Sequence, residues 1–390
     1  MPRPDTATTY VPRRQTAPKR RWARTALIAG LCVVLVAAVV AGGYIANLAA
    51  LYNDRSTTIA GVFPADEGRP AKPVDDGSRN ILLLGSDSRG EGLDTAENKG
   101  ESGERSDTMM LVHIPEDRQN IYVMSIVRDL WVEIPGHGER KINAALNLGG
   151  YPLVVGTVEQ LLDTQIDNVV SIDFEGFGAL TESLGGVTVD NPVAFCSGQA
   201  APSCFDVGPV NLNGTAALRY VRERKAFAEG DFQRVQNQQR FVKAVLNRFL
   251  TPETLGNPAR LQQVIADFSQ YVSVDETLDA GTAAGLALQL SGIRGDDVEM
   301  FTLPTGPAGT GPGGASIITR DEEALRALRL ALKDDSLRDF LANEDHGSNA
   351  FGGSITDDEA AGEPADESTA GESTTDPGAA PAVSPRGAGE

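Results

Sequence analysis

From Thr25 to Asn53 the chain carries no Asp, Glu, Lys or Arg, and Ala26 to Ile45 is mostly Ala, Val, Leu, Ile and Gly. At a rise of about 1.5 Å per residue, a helix of this stretch crosses a bilayer core of about 30 Å. The apolar region of a cleaved signal peptide is shorter, about 7 to 15 residues, so the run predicts a retained transmembrane helix over 25–47. Residues 1–24 hold seven Lys or Arg (Arg3, Arg13, Arg14, Lys19, Arg20, Arg21, Arg24) against Asp5, a balance of +6. Such a flank stays in the cytoplasm, which puts everything beyond the helix outside the membrane. Cys32 follows bulky Leu31 early in the apolar run and reads as membrane packing rather than a lipoprotein cysteine.

The formal charge of −20 leaves −26 once the +6 tail is set aside. An exported part this acidic has little attraction for nucleic acid, and any anion it binds must be met by local arginines working against the overall field. Outside the membrane only Cys196 and Cys204 remain, eight positions apart in a Ser-, Gly-, Ala- and Pro-rich loop. A disulfide stapling that loop is the natural reading in an oxidising compartment; two free thiols or a metal pair, the latter with no flanking histidine, are the alternatives.

Residues 48–78 carry Pro, Gly and mixed charge without a period and read as a membrane-proximal linker. Residues 341–390 read as a disordered acidic tail: between 351 and 390 nine acids face only Arg386 among Gly, Ser, Thr, Ala and Pro. The stretch between, 79–340, alternates strand-like and helix-like patterns and predicts one α/β domain.

Two of its apolar runs, Asn80-Ile-Leu-Leu-Leu-Gly-Ser-Asp87-Ser-Arg89 and Arg105-Ser-Asp107-Thr-Met-Met-Leu-Val-His-Ile, read as buried strands with charges at the loop end. Carboxylates and guanidiniums gathered at a sheet rim can share a metal ion and phosphate oxygens; the alternative is a hairpin whose charged ends only pair with each other. Further strands are expected over 121–127, ending at Arg128-Asp129, and over 130–135, 169–172 and 187–189. Helices are expected over 153–162 and 174–184. Residues 210–221 begin with turn formers and then turn helical, delivering Arg222 and Arg224. The clearest helix covers 231–250, with an apolar stripe of Val235, Val242, Val245, Leu246 and Phe249. Asp231, Arg234 and Gln238 share another face near its start, where an anion would meet the positive end of the helix dipole.

No Gly-x-Ser-x-Gly elbow, His-Glu-x-x-His or Walker loop occurs, and the three histidines are scattered. His113 reads as a core or edge residue, His137 as a turn residue. What is left is arginine with aspartate at the ends of apolar elements. Guanidiniums grip phosphate bidentately, and a carboxylate pair tolerates phosphate only with a divalent cation between them. This is the inventory of a metal-assisted pyrophosphate site.

The motifs Leu84-Gly-Ser-Asp87-Ser-Arg89, Arg105-Ser-Asp107-Thr-Met-Met, Ser125-Ile-Val-Arg128-Asp129, Lys141-Ile-Asn143-Ala-Ala, Tyr220-Val-Arg222-Glu-Arg224 and Asp231-Phe-Gln-Arg234 stand in this order. Together they resemble the LytR-CpsA-Psr family, over roughly residues 78 to 340. The resemblance implies a central mixed β-sheet flanked by helices around an apolar lipid pocket, carried on a single N-terminal anchor. It implies a phosphotransferase that moves a glycopolymer from a polyprenyl-pyrophosphate carrier to a hydroxyl of peptidoglycan or a surface glycoprotein, through a phosphodiester. On that analogy Asp87 and Asp107 hold Mg²⁺ (or Mn²⁺). Arg89, Arg105, Arg128, Lys141, Asn143, Arg222, Arg224, Arg234 and Gln238 bind the pyrophosphate, with Arg128, Asp129 and Asp231 as catalytic residues, the two acids serving as base or as orienting groups. Val127, Gln233 and Asn237 depart from the family pattern, which has proline, glycine and arginine at these places. A lipid-pyrophosphate hydrolase would use the same residues, and a non-catalytic scaffold binding polyprenyl phosphates or glycans would not need them.

Overall fold

The protein, seen in a computed structural model, is described over residues 39, 42–73, 75–86, 108–198, 202–227 and 231–343, without the side chains of Phe174, Glu175 and Asp231. The chain divides into two units, Met1–Ile355 and Thr356–Glu390, and every described residue belongs to the first. The basic tail, most of the expected anchor and residues 344–390 of the expected acidic tail lie outside the described residues, whereas residues 341 and 342, expected in that tail, close a short helix and Leu341 packs against the core. Among the described residues no helix is long and apolar enough to cross a membrane.

Seven strands form the main sheet: β1 (Thr57–Ile59), β2 (Arg79–Ser86), β3 (Thr108–Ile114), β4 (Ile121–Ser125), β7 (Asn168–Asp173), β12 (Val272–Asp275) and β13 (Val298–Thr302). Two-stranded ribbons branch from it: β5 (Trp131–Ile134) with β6 (Gly138–Lys141), β8 (Val187–Asn191) with β11 (Gly208–Leu212), β9 (Phe195–Ser197) with β10 (Ser203–Phe205), and β14 (Thr305–Thr310) with β15 (Ser316–Arg320). The helices that matter below are α1 (residues 42–55), α2 (Ala144–Leu162), α3 (Phe174–Ser183), α4 (Thr215–Arg222), α5 (Asp231–Phe249), α6 (Pro252–Leu255), α7 (Pro258–Phe268), α8 (Ala280–Gln289) and α9 (Glu322–Lys333).

The sheet order is β1-β12-β7-β2-β3-β4-β13. β2 runs parallel to β7 and β4 parallel to β13, while β3 lies antiparallel between β2 and β4. The carboxyl ends of β2, β4, β7 and β13 therefore share one rim with the start of β3. This is the mixed sheet with flanking helices that the resemblance implies.

The apolar runs are continuous because both faces of the sheet are covered. Leu82, Leu84, Met109, Leu111, Tyr122 and Met124 alternate onto the face packed by Val154, Val155, Val158 and Leu162 of α2 and Leu325 and Leu328 of α9. The intervening Leu83, Met110, Val112 and Val123 meet Val242 and Leu246 of α5 on the other face. Each such side chain, once buried, contributes about 1.5–3 kcal/mol. α2 is longer than the pattern at 153–162 suggests. Its first turns are broken at Gly149 and Gly150, the latter with φ +66°, and Pro152 follows, so the apolar period is legible only beyond the break.

Residues 48–78, expected as a linker, are largely part of the fold. β1 pairs in parallel with β12, and Ile59 and Val62 are buried in the core. Arg69 stacks over Phe63, with its guanidinium carbon 4.9 Å from the ring centre, and forks onto the buried Glu159, with Nη2 to Oε1 at 2.6 Å. Lys72 binds Asp167 at 2.8 Å. The segment has no period of its own because its partners lie far downstream, Glu159 90 positions from Arg69 and β12 in the last third of the domain.

His113 is a core residue, as expected: it is buried, with Nδ1 2.8 Å from Asn80 Oδ1 and Nε2 3.0 Å from Asp335 Oδ1. Burial pushes the Asp335 carboxyl up, but the hydrogen bonds from His113 and from the Glu116 N–H outweigh it and hold the group below 3.8. A folded-state value below the unfolded one means that the carboxylate stabilises the fold above its unfolded pKa, and that this is lost as pH falls through the folded value. Asp335→Asn should accordingly flatten the loss of stability on acidification from about pH 5 downward, measured by urea unfolding at a series of pH values. An unchanged slope would show that the acid sensitivity lies elsewhere.

Candidate active site

β2 and β3 leave the rim side by side, with Gly85 paired to Thr108. Asp87 and Arg89 follow β2 in sequence and Arg105 and Asp107 precede β3; all four lie outside the described residues. Two carboxylates next to strand ends held in register are hard oxygen donors suited to a divalent cation that also takes phosphate oxygens. That donor chemistry fits Mg²⁺ or Mn²⁺. Among the described residues no group of three or more His, Cys, Asp or Glu could hold a metal ion.

Beyond the end of β4, Arg128 and Asp129 are half-buried. The Arg128 carbonyl accepts from the Asn143 N–H at 3.2 Å, and the Leu130 carbonyl accepts from the Ile142 N–H at 2.8 Å. Lys141 Nζ lies 3.0 Å from Asp129 Oδ1. The β5–β6 ribbon folds back so that Lys141 and Asn143, distant in sequence from Arg128 and Asp129, become their neighbours. His137 lies in the turn of this ribbon, its N–H bonded to the Ile134 carbonyl.

α5 closes the site from above the sheet. Arg234 and Gln238 are buried at its start, and Gln238 Nε2 donates to the Val221 carbonyl at 3.3 Å, tying α5 to the last turn of α4. Arg222 ends α4 and Arg224 lies just past it, both exposed. The Glu223 carboxylate accepts from the N–H groups of Arg224, Lys225 and Ala226 at 3.0, 2.7 and 3.1 Å. Burial raises its pKa, but these bonds and one from Ser197 lower it further, so the turn that carries Arg224 is built around a charged acid. Although Arg222 is exposed overall, the covered part of its side chain is enough for desolvation to lower its pKa.

One important residue has no place in the motif reading. Gln239 is buried and donates from Nε2 to Ser125 Oγ at 2.9 Å, the Phe301 carbonyl at 3.0 Å and Thr302 Oγ1 at 3.0 Å. It pins α5 to the ends of β4 and β13. A signal for it existed in the sequence, since Gln239 sits between Val235 and Val242 at helical spacing, a polar residue inside an apolar stripe. Two of the departures from the family pattern are joined here as well. Gln233 Nε2 donates to Asn237 Oδ1 at 3.1 Å, and Asn237 is fully buried. The third, Val127, is buried in the core.

Beneath the rim lies an apolar cavity of about 210 Å³ between the sheet and helices α3, α5 and α7. Gly85, Thr108, Val221 and Gln238 line it at the rim, and Val245 and Leu246 deeper in. Tyr220, under the α4 turn, is buried and its hydroxyl is pushed up to about 12. Behind it Phe195 and Phe205, both on the ribbon closed by the Cys196–Cys204 disulfide, pack against its ring.

The chain resembles known proteins over the same region. It is 28% identical over 294 residues to the cell wall biosynthesis protein LcpA of Corynebacterium glutamicum, covering 65% of this chain and 55% of that one. It is 32% identical over 227 residues to the polyisoprenyl-teichoic acid–peptidoglycan teichoic acid transferase TagU of Oceanobacillus iheyensis, covering 57% of this chain and 65% of the other. The matches thus span less than two thirds of either relative's length. The crystal structure of TagV from Bacillus subtilis superposes with a TM-score of 0.56 at 27% identity, over 67% of this chain and 98% of that one. The family model named LytR_cpsA_psr matches residues 52–334, from the end of α1 to just past α9, and on that extent the chain belongs to the LytR_cpsA_psr family.

Proposed function

We propose that this protein is a membrane-anchored phosphotransferase that moves a glycopolymer from a polyprenyl-pyrophosphate carrier to a hydroxyl of peptidoglycan or a surface glycoprotein. The observation that carries this reading is an apolar cavity opening at a cationic rim. Val221 and Gln238 line the cavity, and Arg222 and Arg234 stand one and four positions from them along α4 and α5. An apolar chain with an anionic head matches that combination. The names of the relatives, a cell wall biosynthesis protein and a teichoic acid transferase, support it. In this reading residues 1–24 are cytoplasmic, the apolar run from Thr25 up to α1 spans the membrane, and the α/β domain, with α1 against it, works outside.

The acceptor hydroxyl attacks the sugar-side phosphorus, the new P–O bond forms, the bond to the bridging oxygen breaks, and polyprenyl phosphate leaves. Arg128, Arg222, Arg224 and Arg234, with Arg89 and Arg105, hold the phosphate oxygens and stabilise the charge that develops. Asp87 and Asp107 would hold the divalent ion, which when bound neutralises pyrophosphate charge. Asp129 is engaged by Lys141, which suits it to orienting a neighbour. Asp231 is then the acid left to take the hydroxyl proton.

The test supplies the full-length protein with a labelled lipid-linked donor, with and without peptidoglycan oligomers. Label joined to the oligomer is expected; labelled glycan phosphate released free, with nothing joined, would establish hydrolysis instead. A companion variant probes the cavity. Val242→Phe, which fills part of it, should raise KM for a long-chain donor while leaving a short-chain donor unaffected, and equal effects on both would remove the cavity from the lipid-binding role.

A further inference from the structure

We infer that α1 is docked rigidly on the domain and sets its orientation, with the end bearing Leu255 and Leu288 against the lipid surface and the arginine-bearing rim turned away from it. The inference rests on the reading of the apolar run from Thr25 up to α1 as a retained anchor.

α1 continues the apolar run, and only Ser56 separates it from β1. Four hydrogen bonds hold it to the domain. The Tyr44 hydroxyl donates to the Pro258 carbonyl at 2.8 Å, the Tyr52 hydroxyl to Leu278 at 3.0 Å and Arg55 Nη1 to Ala266 at 2.8 Å, while Asn53 Oδ1 accepts from the Ala280 N–H at 3.3 Å. Tyr52 also packs against Val272, Val274 and Leu278. β1 then enters the sheet directly. A helix held this way transmits direction, whereas a flexible linker would let the domain tumble.

The contacts also give the direction. Tyr44 meets the start of α7 at Pro258 and Arg55 meets Ala266 near its end, so the two helices run alongside each other in the same sense. α7 leads into β12, whose Val272 pairs with Ile172 beside the rim, where Ser86 pairs with Asp173. From Tyr44 to Arg55 the helix advances about 16 Å along its own axis, and its later end is the one nearer the rim. The end of the domain nearest the anchor is therefore the one opposite the site.

That end carries exposed apolar side chains. Leu255, three residues before Pro258, is 40% exposed, and Leu288 is 73% exposed beside Gln289, which accepts from Arg118 in the turn between β3 and β4, at the opposite end of the sheet from the rim. Tyr44 suits a membrane interface, with an apolar ring and a polar tip. The cavity agrees with this placement: it descends from Gly85 and Thr108 at the rim to Val245 and Leu246 on the later turns of α5, so an apolar chain inside it points back toward the bilayer. Its head group then faces outward, and the acceptor approaches from the side away from the membrane.

The test uses full-length protein with Cys32→Ala, reconstituted in phosphatidylcholine vesicles and isolated by flotation. A fluorophore is attached at Leu255→Cys or, in a second variant, at Lys225→Cys beside the rim, and nitroxide-headgroup lipid is added as quencher. The label at position 255 should lose most of its fluorescence and the label at 225 should keep it. Failure to float with the vesicles would overturn the anchor reading and the orientation with it. Flotation with equal quenching at the two positions would overturn the orientation alone. In Tyr44→Phe combined with Arg55→Ala, the contrast between positions should shrink; a contrast that survives intact would show that docking of α1 is not what orients the domain.

Discussion

Arg222→Ala is expected to lower kcat/KM for glycopolymer transfer by about 100-fold, the size seen when one preorganised charge donor is removed from a transition state. Arg222 is exposed at the end of α4, so the fold should survive the change, with an unaltered melting temperature as the control. The part of the side chain that is covered is enough for desolvation to lower its pKa. Arg222→Lys keeps the charge without the bidentate fork and should recover only part of the activity. Transfer at the wild-type rate in Arg222→Ala would remove the catalytic reading of this rim and favour a binding scaffold.

Glu159→Ala is expected to have the largest effect on stability, about 3–5 kcal/mol, because it strands a guanidinium in the interior. Glu159 is 1% exposed; its carboxylate takes Arg69 Nε at 3.1 Å to each oxygen, Arg69 Nη2 at 2.6 Å and the Ile166 N–H at 2.9 Å. The pair joins the segment before β2 to α2 and the loop that follows it. Chemical denaturation of the variant alone and with Arg69→Met added would read it directly. Partial recovery in the double variant is expected, since it removes the unpaired charge; no recovery would place the cost in lost packing.

The contrast between legible and illegible parts of this chain follows the distance over which each feature is decided. β2 and β3 were readable because their side chains are apolar in unbroken runs, and α5 because its stripe repeats within one element. The expected helix over 231–250 and the observed Asp231–Phe249 differ by a single residue. The segment 48–78 looks like a linker in sequence because Ile59, Val62, Arg69 and Lys72 become structural only through distant partners such as Glu159 and Asp167. The first turns of α2 are illegible in sequence because Gly149 and Gly150 break its period. For the site, the motifs name Arg128, Arg222 and Arg234, but nothing local says that Lys141 will reach Asp129 or that Gln239 will bind β4 and β13 together.

The sequence alone determined the α/β class, the helix of α5 and the residue types that can meet a pyrophosphate, because side-chain period and charge are properties of short stretches. Tertiary structure alone decided which strands share a rim, where the cavity lies beneath it and how α1 is held, because each depends on pairs of residues far apart in the chain. Closing such contacts carries an entropy cost that no local pattern records.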